Sequence, residues 1–209
     1  MPILDKLAYS LGRRDEVPNQ ELARDLAAKK DKKGIREIAE NLWNKDRNIQ
    51  ADCIKVLYEV GSIEPKLIAD YTADFVKLLK SRNNRLVWGS MTALSEVAKA
   101  NPDAVFQNLD AIKKAKETGS VITVDNAIST LAYTAAANKK YNGAIFPYLL
   151  KHLSSCRPKE VPQHAEKTLP AVNTENKTDL IKVLEKRMED VSGSGLARVK
   201  KIIKQVTQL

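Results

Sequence analysis

One helical segment recurs five times along the chain at nearly constant spacing. Stacking the five copies aligns a central apolar residue in each: Leu57, Leu94, Leu131, Leu169 and Ile203. The steps between these residues are 37, 37, 38 and 34. Self-similarity at a fixed period of this length indicates a repeat architecture, in which each repeat buries its apolar face against its neighbours. The spacing therefore favours an array of repeats over a single irregular globule.

The repeated segments have helical periodicity. In each of them, the positions four before, at and three after the central residue are small or apolar, which places all three on one helix face. The five sets are Cys53/Leu57/Val60, Ser90/Leu94/Val97, Ala127/Leu131/Thr134, Ala165/Leu169/Val172 and Val199/Ile203/Val206. Alternating strand patterns are nearly absent from the chain. We therefore predict an all-α fold in which these five faces are buried.

A second apolar series precedes the first and predicts another helix in every repeat. Its in-register residues are Leu42, Leu79, Ala115, Leu153 and Met188, at steps of 37, 36, 38 and 35. Each repeat is therefore predicted to be a hairpin of two helices. Among the breaks between repeats, Asn101 is a candidate N-cap and Pro102 suits the first helical position. A further predicted break covers residues 138–143.

A sixth, degenerate pair is predicted at the N-terminus. Stepping back once more from Leu57 reaches residues 18–30, where Leu22 and Leu26 supply an apolar face. The preceding apolar residues are Ile3, Leu4, Leu7 and Leu11. Terminal repeats are usually atypical because one of their faces meets water. We predict a single domain over 1–209, with a capping pair at 1–33 and repeats of about 37 residues at 34–209.

The second of the five repeats carries a family resemblance. The segment Leu79-KSRNNR-LVWGSMTAL-Ser95-Glu96-Val97, followed by Ala98 and Asn101-Pro102, resembles the inner turn and second helix of a HEAT repeat. In that pattern a leucine, a polar turn and an Ala/Leu-rich helix recur, and here the resemblance extends over residues 35–209. It implies a HEAT-like, armadillo-like α-α superhelix of about five helical pairs plus the capping pair. It also implies that the second helices line a concave surface.

The composition limits the environment of the protein. Lys and Arg number 35 against 26 Asp and Glu, which gives a net charge of +9. Such a surplus favours phosphates or other acidic partners. No window approaches the roughly 18 uncharged apolar residues of a membrane span, and no signal-peptide core is present. Two widely separated cysteines are typical of a reducing compartment. We therefore predict a cytoplasmic protein with no membrane partner.

Candidate catalytic and metal-ligating residues are few. The only two histidines, His152 and His164, and the two cysteines, Cys53 and Cys156, match no paired metal motif, so we predict no metal and no cofactor. HEAT-like arrays include the alkylpurine DNA glycosylases, and Val124-Asp125-Asn126-Ala127-Ile128 resembles their catalytic aspartate segment. The flanking tryptophans and groove arginine of that family are absent, however. We predict a non-enzymatic protein and keep glycosylase activity at Asp125 as a less favoured alternative.

The residues beside each central position give the predicted partner class. Positions two before and two after it form a mixed polar surface with isolated aromatic residues, which is typical of a protein- or peptide-binding groove. The candidate contacts are Trp88, Tyr133, Lys55, Glu59 and Glu96. Trp88 fits a core position and a ligand contact equally well. We predict a scaffold or adaptor that binds a protein or peptide on the concave second-helix face.

The basic residues support an alternative partner. Several cations fall near equivalent turns of successive repeats and would form a ridge along one edge. The candidate anion-binding residues are Lys80, Arg82, Arg85, Arg157 and Lys159. A ridge of spaced cations suits nucleic acid and gives binding a steep salt dependence. The sequence leaves the oligomeric state open, because the apolar face of the last helix can cap the array or dock a second chain.

Overall fold

The structure, a computed structural model, describes residues 2–209, and every regular element within that range is helical. The α-helices are α1 (Val17–Lys29), α2 (Lys32–Glu40), α3 (Arg47–Ile63), α4 (Thr72–Leu78), α5 (Asn84–Ala100), α6 (Pro102–Phe106), α7 (Leu109–Thr118), α8 (Val121–Ala136), α9 (Lys139–Ser155), α10 (Val161–Thr168), α11 (Lys177–Arg187) and α12 (Gly193–Thr207). Short 3-10 helices lie at Ile3–Lys6, Asn41–Trp43, Pro65–Leu67, Ala69–Tyr71, Pro158–Glu160, Leu169–Ala171 and Met188–Asp190. None of the helices in residues 2–209 is long and apolar enough to span a bilayer.

The helices follow the predicted order of pairs. The second helices of the five repeats are α3, α5, α8, α10 and α12, and each follows the first helix of its own repeat. The N-terminal capping pair is reduced, because its first member is only the 3-10 helix Ile3–Lys6 and its second is α1. Ile3 and Leu7 are buried there, whereas Leu11 is exposed. The all-α prediction of about five helical pairs and a degenerate cap is therefore confirmed.

The chain divides into two compact units, which are described separately. The N-terminal unit extends to Thr130, and the C-terminal unit is Leu131–Leu209. In the N-terminal unit, α3 packs between α1 and α5, so three second helices lie side by side, while α2 packs on α3 and α4 on α5. In the C-terminal unit, α10 packs on α12 and α9 on α11. In both units, therefore, second helices pack against second helices, and in the C-terminal unit first helices also pack against each other.

Short polar side chains set where several helices begin. The Asn101 side chain accepts a hydrogen bond from the Ala104 amide at 3.2 Å, and Pro102 occupies the first turn of α6, as predicted. Asx side chains accept from early amides in the same way at four other starts: Asp31, Asp46, Asn83 and Asn138. The predicted break over 138–143 is wrong in extent, because Asn138 caps α9 and the helix begins at the next residue. These caps satisfy backbone donors that have no partner within the helix.

The predicted apolar faces are buried in the first three repeats and shift in the last two. The nine predicted residues of α3, α5 and α8 are all buried. In contrast, Leu169, Val172 and Ile203 are only half-buried, which corrects the prediction that they lie on fully buried faces. Proline has no amide hydrogen to continue a helix, and Pro170 follows the end of α10 in a 3-10 turn. In α12 the buried position beside the predicted one is Ile202.

The contact between α3 and α5 depends on a residue without a side chain. A Cβ atom at Gly89 of α5 would lie 2.7 Å from Cγ1 and 3.2 Å from Cγ2 of Ile54, which is fully buried on α3. Because both carbons are bonded to the Ile54 Cβ, they cannot swing away like the end of a long side chain. Glycine at this position therefore sets how closely the two second helices approach.

Gly89→Ala should lower the free energy of unfolding by about 1–2 kcal/mol, because overpacking outweighs the better helix propensity of alanine. The matched control is Gly143→Ala within α9, where a Cβ would meet nothing within 4 Å. That change should raise stability by about 0.5–1 kcal/mol. Urea unfolding measures the free energy of unfolding of both variants. Equal stabilisation by both would contradict the close approach of α3 and α5 at Gly89.

Candidate functional site

A buried lysine lies at the centre of the solvent-facing side of the second helices in the N-terminal unit. We call this surface the second-helix face; its residues are Glu16, Lys55, Tyr58, Glu59, Arg85, Trp88, Thr92, Glu96, Lys99 and Asn126. The side chain of Lys55 is 7% exposed, and its Nζ lies 2.9 Å from Oε2 of Glu16 and 2.6 Å from Oε1 of Glu59. Burial lowers the pKa of Lys55, but hydrogen bonds to Glu59 and Glu16 outweigh burial and raise that pKa overall. Lys55 is therefore held as an ammonium ion.

Glu16 connects the helices around this lysine. It is the residue immediately before α1, and its second oxygen accepts a hydrogen bond from Nη2 of Arg85 on α5 at 2.6 Å. One carboxylate therefore links the start of α1 to both α3 and α5. The Nε atom of Arg85 is buried and has no hydrogen-bond partner within residues 2–209.

Two aromatic rings continue the same surface. Nζ of Lys55 lies 4.8 Å from the centre of the Tyr58 ring, in cation–π range. The Tyr58 and Trp88 rings lie 5.9 Å apart with their planes tilted by 49°. Both side chains are half-buried. One part of the Trp88 ring therefore packs, and the rest remains accessible to solvent.

The part of the second-helix face formed by Thr92, Glu96, Lys99 and Asn126 is also hydrogen-bonded, and its charges are balanced. Asn126 of α8 donates to Oγ1 of Thr92 at 2.9 Å, which ties α8 to α5. Glu96 pairs with Lys99 at 2.5 Å on the same helix. The three cations of the face, Lys55, Arg85 and Lys99, thus each have a carboxylate partner. The face offers aromatic and polar groups with no surplus of positive charge.

The structure brings together four of the five predicted contact residues. Lys55, Glu59, Trp88 and Glu96 belong to the second-helix face of the N-terminal unit. The fifth, Tyr133, is half-buried on the part of α8 that belongs to the C-terminal unit.

Asp125, the residue of the glycosylase alternative, is half-buried near the start of α8. The exposed side chains that precede it, Val121 and Ile122, are aliphatic rather than stacking aromatic groups. Their chemistry does not supply the walls that hold a flipped base.

A cluster of basic side chains lies at the turns of the first two repeats. Four cations line one cleft of about 390 Å³, which we call the basic cleft: Arg47, Lys77, Lys80 and Arg82. Trp43 also lines it, with Nζ of Lys77 lying 4.3 Å from its ring and its own Nε1 donating to Asp74 at 3.3 Å. Of the predicted anion-binding residues, Lys80 and Arg82 line this cleft, whereas Arg85 lies on the second-helix face.

The remaining predicted cations lie on the turn before α10. Nε of Arg157 donates to Oε1 of Glu160 at 2.9 Å, and this hydrogen bond lowers the pKa of Glu160. Lys159 is exposed between them on the 3-10 helix Pro158–Glu160. The charge of Arg157 is therefore offset locally, and Lys159 carries the exposed positive charge of this turn.

Comparisons with known proteins identify the fold class. No family model and no curated protein matches the sequence. An engineered protein solved in a structural genomics programme is 20% identical, with a TM-score of 0.66 over 100% of this chain and 98% of that one. A designed armadillo repeat protein in complex with the peptide (KR)4 is 15% identical, with a TM-score of 0.63 over 96% and 98%. Kap121p bound to Pho4p is 18% identical, with a TM-score of 0.61 over 98% of this chain and 23% of that chain.

These similarities, together with the paired helices, define an armadillo/HEAT-like α-solenoid fold. The resemblance seen in the repeats is thereby confirmed at the level of the fold.

Removing both carboxylates around Lys55 should destabilise the N-terminal unit. In Glu16→Gln combined with Glu59→Gln, the buried ammonium loses both charged partners, and we expect unfolding free energy to fall by about 2 kcal/mol. Adding Lys55→Met should restore most of the loss, because a buried apolar chain needs no partner. Chemical denaturation measures all three forms. Glu96→Gln is the control, and its free energy of unfolding should change by no more than about 0.5 kcal/mol because its partner Lys99 is solvated. A Glu16→Gln/Glu59→Gln variant as stable as wild type would contradict the pairing of both carboxylates with Lys55.

Proposed function

We propose that the protein is a non-enzymatic scaffold or adaptor that binds a protein or peptide segment on the second-helix face. The observation that carries the proposal is the combination of a half-exposed Trp88 with cations that are already neutralised by carboxylates. Tryptophan, tyrosine and arginine are enriched among the residues that dominate protein interfaces. The face thus has anchors for a partner without the excess charge that phosphates require.

The polar groups of this face suit an extended peptide. A peptide backbone presents donors and acceptors at regular intervals, and it must exchange its hydrogen bonds with water for equivalent ones on the protein. The carboxylates of Glu59 and Glu96, both partly exposed, are groups of this kind. The pairing of Lys55 and Arg85 with Glu16 fixes their positions before a partner arrives, which lowers the entropic cost of binding.

The solved neighbours support the same class of partner. One is a designed armadillo repeat protein in complex with the peptide (KR)4, and another is Kap121p bound to Pho4p. Tyr133 is a further proposed contact, in the C-terminal unit.

Peptides selected on the full chain from a random library should depend on Trp88. Truncating an aromatic anchor costs about 2 kcal/mol or more, so Trp88→Ala should weaken the selected peptides at least tenfold in calorimetric titration. Lys80→Ala combined with Arg82→Ala in the basic cleft is the matched control and should change affinity less than threefold. Peptides that bind the Trp88 variant as tightly as wild type would contradict the proposed location.

We also propose nucleic acid as a second candidate partner, at the basic cleft rather than at the second-helix face. Four cations converge there on one concave surface, and Trp43 adds an exposed ring suitable for stacking on an unpaired base. Lys77 and Trp43 are already in contact, which holds the ring and the charge together.

Binding of single-stranded DNA at this cleft should weaken steeply with salt, because each phosphate contact releases counterions. Fluorescence anisotropy of a labelled oligonucleotide across a salt series gives the slope. We expect Lys80→Ala with Arg82→Ala to lower affinity at least tenfold in low salt and to flatten the slope, while Trp88→Ala leaves both unchanged. Absence of binding at low salt would remove this candidate.

A further inference from the structure

Three metal-ligating side chains meet where α9 ends and α10 begins. Nε2 of His152 lies 2.9 Å from Nδ1 of His164, and their ring centres are 4.9 Å apart. With Sγ of Cys156, the ligating atoms of the three residues all lie within 4.8 Å of one another. The prediction of no metal rested on the lack of a paired motif, whereas the four-residue spacing of His152 and Cys156 was a sequence signal for this cluster.

Local structure explains how the three side chains converge. His152 lies in the last turn of α9 and Cys156 is the residue that ends it, so their spacing places both on one side of the helix. The 3-10 helix Pro158–Glu160 then turns the chain into α10, which carries His164. His164 is fully buried, whereas His152 and Cys156 are half-buried, so solvent reaches the cluster from one side.

We propose that His152, Cys156 and His164 bind one transition-metal ion, with Zn²⁺ as the expected physiological ion. Two imidazoles and a thiolate are the ligand types that zinc prefers, and three protein ligands leave a fourth tetrahedral position for water. At zinc–nitrogen and zinc–sulfur bond lengths, neighbouring ligand atoms lie about 3.3–3.7 Å apart. The two histidine nitrogens lie slightly closer than this, and all three ligating atoms lie within 4.8 Å of one another, so side-chain movements of about an ångström complete the site.

Proton balance is consistent with this site. In the present arrangement one ring nitrogen donates a hydrogen bond to the other along the 2.9 Å contact, with the tautomers setting which ring is the donor. On binding, the proton leaves this contact by exchange with solvent. Each ring then carries its proton on the other nitrogen, Nδ1 of His152 and Nε2 of His164, so Nε2 of His152 and Nδ1 of His164 both offer lone pairs to the metal. Cys156 binds as a thiolate and releases its proton to solvent. No oxidation or reduction is involved.

Positive and negative side chains near the site have opposite effects on the Cys156 thiol and on a bound cation. The Arg187 guanidinium donates to the carbonyl oxygens of Leu153 and Cys156 at 2.7 and 2.8 Å, and to Asp190 at 2.8 Å. Burial raises the pKa of the Cys156 thiol, while the charge of Arg187 lowers it and that of Glu160 raises it. Arg187 therefore fixes the backbone that carries Cys156, and Asp190 offsets its positive charge near a bound dication.

Cobalt titration of the full chain tests the proposal, because tetrahedral Co²⁺ reports both geometry and thiolate ligation by its absorption. We expect one equivalent to bind in reducing buffer, with visible d–d bands and a thiolate-to-cobalt charge-transfer band, and Zn²⁺ to displace it. Cys156→Ala should abolish the charge-transfer band and weaken binding at least tenfold. His152→Asn should weaken binding at least tenfold.

Cys53→Ala is the matched control, since Cys53 is fully buried in α3 and burial raises the pKa of its thiol to about 12. This variant should keep the band and the affinity of wild type. Circular dichroism measures whether each variant is folded. If Cys156→Ala does not fold, the loss of metal affinity in His152→Asn tests the site instead. Absence of a saturable charge-transfer band in the wild-type chain would overturn the proposal, as would equal binding by wild type and the two site variants.

Discussion

The packing of one second helix against the next is the constraint on which the rest of this structure depends. In the N-terminal unit, α3 and α5 meet where Gly89 leaves room for the buried side chain of Ile54. Their apolar faces, centred on Leu57 and Leu94, are thereby buried. Once those faces are fixed, helical geometry leaves Lys55 and Trp88 on the opposite side, where they form a surface. The second-helix face is therefore a direct consequence of how the repeats bury their cores.

Regular periodicity made most of the fold predictable, and local exceptions account for the errors. A constant step between apolar residues predicts paired helices, because each repeat must present the same face to its neighbours. The prediction failed at Leu169, where Pro170 ends α10 early, and at Ile203, where α12 buries Ile202 instead. A single proline, or a rotation of a terminal helix, changes which residue is buried without changing the repeat length.

The candidate sites depend on contacts that spacing alone does not reveal. The sequence pointed to Lys55, Glu59, Trp88 and Glu96, since they flank the buried stripe. It did not reveal Glu16, whose partner Arg85 is 69 residues away and on a different helix. The same limit applies to the histidine pair, because the turn of Pro158–Glu160 decides whether His164 approaches His152.

The positive charges behind the net charge of +9 are distributed unevenly between the two candidate surfaces. Carboxylates neutralise the cations of the second-helix face, while four cations converge in the basic cleft. Nuclear magnetic resonance of the chain with a selected peptide distinguishes these two surfaces most directly. We predict that the amide and indole shift changes fall on residues 55–59 and 85–96. Changes confined to residues 43–47 and 77–82 would contradict the assignment of the second-helix face as the binding surface.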